Sequence, residues 1–287
     1  MNYVSVKGLS KRFSDQLVLD QIDFEIPRGS VVGLIGPNGA GKTTTLKALL
    51  GLTDHEGSID VLGFSPRSER HKMMQHLGFI SDVGVLPRWM KVSEVLDFTA
   101  GVHLNFDRGK ADAILATTQI RSNATIKTLS KGMVTQLHLA LVLAMDAKLL
   151  ILDEPTLGLD IVYRSEFYQR ILDDFLRQDQ SLLISTHQVE EIEHLLTHLL
   201  FIDHGRICLN ASMDDVFDRF LAVEVPSEQV DAAIKLEPIS EQSGLGGSVM
   251  IFDGVSREHL EAIGPVRAVR VAELFVAMVQ RDEKSKM

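Results

Sequence analysis

Two kinds of apolar patterning run along the chain. Residues 3–6 (YVSV) and 22–26 (IDFEI) alternate like half-buried strands, whereas 31–35 (VVGLI) is apolar without interruption, as a parallel strand covered on both faces should be. After Gly41, the stretch KTTTLKALLG sets Leu46, Leu49 and Leu50 on one helical face and stops at Gly51, a residue suited to a helix C-terminus. The first unit therefore reads as edge strands, then a central strand, a glycine loop and a helix.

Between about 83 and 128 the pattern becomes helical, with VSEVLDFTAGV and KADAILATTQI carrying few strand signals, and the apolar LHLALVLAM follows at 137–145. From 148 onward two short apolar runs, KLLILDEP and SLLISTH, flank a helical YRSEFYQRILDDFLR, which implies a right-handed strand-helix-strand crossover. HLLFIDHGRICLN then reads as a hairpin turning at 203–206. Beyond residue 219 come FLAVEVP, a Gly/Ser-rich SEQSGLGGS whose GLGG is read as loop, a strand-like VMIFDG and a helix-like VAELFVAMVQ, together a small α+β extension.

Composition narrows the classes. Of 287 residues, 45% are hydrophobic and 24% charged, ordinary for a soluble globular chain. The run from Leu137 is broken by Asp146 and Lys148 short of the roughly 20 residues a membrane helix needs. The N-terminus has no apolar segment ahead of a cleavage site, so a cytosolic location is expected. Cys208 is the only cysteine, which excludes an intrachain disulfide. A net charge of −10 argues against general nucleic-acid binding. His194 and His198 have the spacing of a helical metal pair but no third ligand beside them, so packing or surface roles are expected. Met73, Met74 and Trp89 are read as packing or partner-groove residues.

Chemistry enters with GPNGAGKT, Gly36 to Thr43, which has phosphate-loop spacing and lies between the buried strand and the helix that such a loop requires. Glycines let backbone amides wrap phosphates, Lys42 reaches the terminal ones, and Thr43 offers a hydroxyl to Mg²⁺. LLILDE ends a second buried strand in Asp153, suited to Mg²⁺, and Glu154, placed to orient or deprotonate a water attacking a γ-phosphate. His187 ends a third strand and could hydrogen-bond that phosphate. In TLSKGMVTQ (128–136), Ser130 is positioned to cap a helix whose amides form an anion site.

This ordered set resembles the nucleotide-binding subunit of an ATP-binding cassette (ABC) transporter: the phosphate loop at 36–43, a signature turn at 129–133, LILDE at 150–154, GLD at 158–160 and His187. The resemblance covers about residues 1–215 and is closest to the single-cassette ATPases of bacterial drug, antibiotic or lipid exporters. It implies an α/β fold: a P-loop NTPase with a RecA-like parallel sheet core, an N-terminal antiparallel β subdomain, an inserted helical subdomain (about 83–142), and an ATPase domain 1–218 followed by a small α+β accessory domain 219–287. It implies ATP and Mg²⁺ as cofactors. ATP would be held by Gly36, Asn38, Gly39, Ala40, Gly41, Lys42, Thr43 and Thr44, with Phe13 stacked on adenine and Val18 nearby. Mg²⁺ would be held by Thr43 and Asp153.

The resemblance also implies that two cassettes close head to tail, so that Ser130 and Gly132 address the γ-phosphate on the opposite subunit and Asp160 lies in the contact linking the two sites. The partners it implies are a second cassette and separate transmembrane permease subunits, at the cytoplasmic side of the inner membrane, with no nucleic acid. Two departures stand out. The loop after LGFIS usually carries Gln, where this chain has Asp82, a third candidate for the metal, and the signature departs from LSGGQ at Lys131 and Met133. The alternative reading is a non-transport ABC ATPase acting on a ribosome, nucleic acid or protein assembly. It lacks the tandem cassettes or the long coiled-coil insertion of such relatives.

Overall fold

The computed structural model describes residues 1–81, 86–175, 179–244 and 246–285. Strands β1 (Asn2–Phe13) and β2 (Gln16–Pro27) form a long antiparallel hairpin, followed by β3 (Val31–Ile35), helix α1 (Lys42–Leu49), β4 (Glu56–Val61), α2 (Arg70–Met73) and β5 (Leu77–Ile80). Helices α3 (Val92–Val102), α4 (Arg108–Ala116) and α5 (Lys131–Leu143) come next, then β6 (Leu149–Asp153), α6 (Ile161–Asp174), β7 (Ser181–Thr186) and the hairpin β8 (His198–Asp203) and β9 (Arg206–Ser212). The last part comprises α7 (Met213–Arg219), β10 (Phe220–Pro226), α8 (Val230–Ile234), β11 (Ser240–Gly244), β12 (Gly247–Asp253), α9 (Arg257–Glu261), β13 (Val266–Ala268) and α10 (Val271–Ser285).

The central sheet has the order β5-β6-β7-β3-β8-β9, parallel except for β9. Its inner strands β3, β6 and β7 are buried at every residue, which is why β3, most of β6 and the centre of β7 run apolar instead of alternating. One face packs on α1 and on the antiparallel sheet β2-β1-β4, through Leu46 and Leu49 against Val32, Leu34, Ile151 and the inward side chains Val4, Val6, Phe24 and Ile26. The other face packs on α5 and α6 through Leu139, Leu143, Phe167 and Ile171. The hairpin turn between β8 and β9 places His204 (φ 43°) and Gly205 (φ 75°) in the left-handed region, the geometry of a two-residue turn that follows strand twist. Helices α3, α4 and α5 close around a separate core of Val92, Val95, Leu96, Ala111, Leu115 and Leu137. The expected beginning of this helical segment, residues 83–85, lies outside the described residues.

The C-terminal part is more structured than its sequence pattern suggests. SEQSG, Gly/Ser-rich and without a strand pattern, is edge strand β11, held in register by β12 (Ser240↔Ile251 to Gly244↔Gly247) although its own side chains are polar. The run β10-α8-β11-β12-α9-β13 with sheet order β11-β12-β10-β13 is a βαββαβ arrangement. Leu221, Val223, Met250 and Phe252 face its own helices. Phe220, Ala222 and Ile251 face the other way and join the same core as β3, β6 and β7, together with Val271, Leu274 and Ala277 of α10. The edge contact of Phe275 with Phe201 (centroids 5.3 Å apart) and the bond from Val271 N to Glu193 Oε1 (3.0 Å) tie α10 to the segment after β7. The expected boundary at 218/219 falls at the end of α7.

His194 lies in a 3-10 turn and His198 opens β8, so the two imidazoles do not share a helical face. Met73 is fully buried, whereas Trp89 is 76% exposed.

Candidate nucleotide-binding site

Strand order decides what meets at the site. With β7 between β6 and β3, the segments that follow these three strands emerge side by side, with Ile35 paired to Thr186 and Asp153 to Ser185. That edge, beyond the carboxyl ends of parallel strands, is where open α/β sheets bind ligands.

The loop after β3 is shaped by its glycines. A Cβ at Gly36 would stand 2.3 Å from the Ile202 carbonyl oxygen on β8, so only hydrogen fits between loop and sheet. Gly41 (φ 111°) is the N-cap of α1, and a Cβ there would meet Leu19 Cδ2 at 2.6 Å. Gly39 (φ 83°) instead has nothing within 4 Å of its Cβ position, so its left-handed backbone borders open space. No side chain caps α1, which leaves its first amides turned to that space, where an anion would complete them. Asn38 is exposed, Ala40 is buried, and Thr44 is half-buried on the first turn.

Lys42 is buried, and its Nζ donates to the carbonyls of Gly36 (2.7 Å) and Pro37 (3.3 Å) while lying 3.3 Å from Glu154 Oε1. The ammonium thus lies within the loop, matched by a carboxylate. Glu154 adopts φ 47°, an uncommon backbone conformation for a side chain of this size, held by its amide donating to the Ser185 carbonyl at 3.0 Å. Its Oε2 is 2.9 Å from His187 Nδ1. Its buried Oε1 has no hydrogen-bond partner and only the Lys42 ion pair to balance it. A carboxylate held on one side by an imidazole, with its other oxygen lacking a hydrogen bond, is equipped to accept one from water.

Asp153 is buried, and its Oδ1 accepts from Ser185 Oγ (2.5 Å) and from Thr43 Oγ1 (3.3 Å). Thr43 and Asp153 present oxygen donors only, which suits a hard cation such as Mg²⁺ that keeps phosphate and water among its ligands. Sequence reasoning did not single out Ser185. The register between β6 and β7 brings it to Asp153, and no local pattern signals that.

The other expected residues fall into two groups. Val18 on β2 borders the loop, since its carbonyl lies 3.3 Å from a Gly41 Cβ position, and Phe13 at the tip of the same hairpin is half exposed beneath the Lys11 ammonium (4.7 Å to the ring centroid). Ser130 caps α5 by accepting from Met133 N (3.2 Å). Its turn lies beside the GLD segment of this same chain: a Gly132 Cβ would come no nearer than 3.9 Å to Tyr163, and Lys131 Nζ lies 2.8 Å from a Gly158 Cβ position. Asp160 caps α6 by accepting from Val162 N and Tyr163 N (3.1 Å each). Asp82 lies outside the described residues.

Comparison with known proteins gives the family. Residues 19–157 match the family described as ABC transporter. Over 264 residues the chain is 33% identical to the Nod factor export ATP-binding protein I of Cupriavidus pinatubonensis, covering 86% of this chain and 79% of that protein. It is 31% identical over 211 residues to the Bacillus subtilis protein named Uncharacterized ABC transporter ATP-binding protein YdbJ, covering 72% and 68%. Among solved structures, an ATP-binding subunit of an ABC transporter superposes with a TM-score of 0.68 at 26% identity, covering 75% of this chain and 91% of that one. The same fold recurs in a bacterial Atm1-family ABC exporter with ATP bound (TM-score 0.65, 20% identity), of which the match spans 39%. Phosphate loop, paired acidic residues and relatives converge, and the chain belongs to the ABC transporter ATP-binding proteins, as a nucleotide-binding ATPase subunit.

Proposed function

We propose that this subunit energises export through separate membrane subunits, by head-to-tail closure of two cassettes on two ATP molecules. The observation that carries the reading is the state of Glu154, pinned between Lys42 and His187 with Oε1 lacking a hydrogen bond. Lys42 would exchange its internal carbonyls and Glu154 for the β- and γ-phosphates of ATP, freeing the carboxylate to take a proton from the attacking water. His187 keeps Glu154 oriented. Thr43 and Asp153 would hold Mg²⁺, which neutralises developing phosphate charge when bound. Phe13 would stack on adenine, with Val18 beneath it.

The signature turn supports the two-chain form. Within this chain a methyl at position 132 would meet only ordinary van der Waals contacts, so the small residue there serves an approach from outside, the γ-phosphate on a second cassette. Ser130 keeps its capping bond while the α5 N-terminus offers amides to that phosphate. Export as the direction rests on relatives named for Nod factor export. The membrane subunits choose the cargo, and the cassette works peripherally at the cytoplasmic face of the inner membrane.

The experiment uses Glu154→Gln with Mg²⁺ and ATP. It should bind nucleotide normally, cease hydrolysis, and elute as a dimer in gel filtration. Wild-type turnover in this variant would remove Glu154 from its role. Mild detergent extraction followed by mass spectrometry should recover membrane permease subunits, and recovery of ribosomes or soluble assembly factors alone would reverse the transport reading.

A further inference from the structure

Helix α6 starts immediately after Asp160, and its first turn carries Arg164 back over the segment that precedes it. The Arg164 side chain is 22% exposed. Its Nε donates to the Leu159 carbonyl (2.7 Å), and one terminal nitrogen donates to Gln188 Oε1 (2.5 Å) and to Glu191 Oε1. The other oxygen of Glu191 accepts from Thr156 Oγ1 (3.2 Å), which in turn lies 3.3 Å from Tyr168 Oη. Burial pushes the Tyr168 phenol well above its ordinary range, so that hydroxyl keeps its proton.

Two of these acceptors are tied to residues of the reaction centre. Leu159 follows Glu154 through two tight turns, Leu157 N to Glu154 O (3.1 Å) and Leu159 N to Thr156 O (3.0 Å). Gln188 is the neighbour of His187, and its amide is fixed on Thr186 Oγ1 (2.9 Å). One planar cation therefore joins the turn after the general base, the start of α6, and the segment after His187. A guanidinium can do this because its donors diverge in a fixed plane, whereas an ammonium is a single point of charge.

We propose that Arg164 is a positioning residue that couples the 157–160 turn to His187, so that the Glu154–His187 pair is set only when that turn is seated. The inference rests on the roles read above for Glu154 and His187. Arg164 acts through the Leu159 carbonyl and the Gln188 amide group. Lys131 bears on the same turn through its packing at Gly158, so the signature turn meets this clamp at its near end.

The test uses the full-length protein with Arg164→Lys and Glu191→Gln. Lysine retains the charge but cannot reach all three acceptors. Arg164→Lys should bind a fluorescent ATP analogue within about twofold of wild type and keep its KM, while kcat falls about tenfold or more, because small misplacements of a reacting group are costly. A purely structural residue would lower the melting temperature and leave kcat of the folded protein intact. Hydrogen exchange supplies a readout independent of turnover: Glu191→Gln should speed exchange at residues 157–160 as well as at 188–191. Wild-type kcat in Arg164→Lys, or unaltered exchange at 157–160 in Glu191→Gln, overturns the coupling. Turnover that survives Glu154→Gln would strike at the assignment of the base instead, and the exchange result would still decide the role of Arg164.

Discussion

Lys42→Met should destabilise the nucleotide-free protein as well as weaken its grip on ATP. The Lys42 ammonium satisfies the Gly36 carbonyl at 2.7 Å and the Pro37 carbonyl at 3.3 Å, and is the counter-charge 3.3 Å from a Glu154 oxygen that has no hydrogen bond. Methionine fills a similar volume with no donor. Removing one partner of a buried ion pair costs roughly 3–5 kcal/mol, because the remaining charge is left unbalanced. His187 still holds the other Glu154 oxygen, at 2.9 Å, and softens that imbalance. The expected loss is therefore about 2–4 kcal/mol. For a chain of 287 residues each 1 kcal/mol moves the melting temperature by about 1.7 °C, so a fall of roughly 3–7 °C is expected. Glu154→Gln in the Lys42→Met background removes the stranded charge and should return at least about 1 kcal/mol. Thermal unfolding of wild type, both single variants and the double variant, followed by circular dichroism without nucleotide, closes the cycle. A coupling below about 0.5 kcal/mol would refute the view that these two groups neutralise one another in the empty site.

Gly36→Ala should impair the site without touching a charged group. Its Cβ would meet the Ile202 carbonyl at 2.3 Å, and relief requires the loop or β8 to move, an overpacking cost of roughly 1–3 kcal/mol. ATP affinity measured by fluorescence titration should fall at least about tenfold, and unchanged affinity would show that the loop tolerates the shift. The pH dependence of stability should carry the mark of His138, which burial on α5 holds down to about 4. In the unfolded chain it titrates near 6.5, so protons favour unfolding. Stability is full above pH 6.5 and declines as pH falls toward 4, by at most about 1.4 kcal/mol per unit and roughly 3 kcal/mol in all. His138→Leu should flatten that slope in urea titrations between pH 6.5 and 4.5, and an unaltered slope would mean that His138 does not carry it.

Local chemistry was legible where a short stretch contains its own reason. The loop declares itself because two glycines, a lysine and a threonine stand at fixed offsets between strand and helix, and in the structure Gly36 and Gly41 make the close approaches while Gly39 and Gly41 take the left-handed angles. The apolar runs VVGLI of β3, LLIL of β6 and LLI of β7 likewise announce burial on two faces. Ser130 was readable as a cap because that contact spans three residues.

Everything that depends on neighbours distant in the chain had to wait for the fold. SEQSG has no strand pattern of its own, and β12 alone makes it one. Asp160 also caps its own helix, and only the fold shows those two amide bonds. Lys131 packs on Gly158, an arrangement set by how α5 and α6 meet. Ser185 reaches Asp153 across 32 positions, and Arg164 reaches Glu191 across 27. The sequence by itself determined which segments are strand or helix at the glycine loop and which residues carry the chemistry proposed for phosphate binding and water activation, because those properties arise within a few residues. The tertiary structure alone decided how these groups are paired and held, because placing β7 between β6 and β3 juxtaposes side chains that no period along the chain connects.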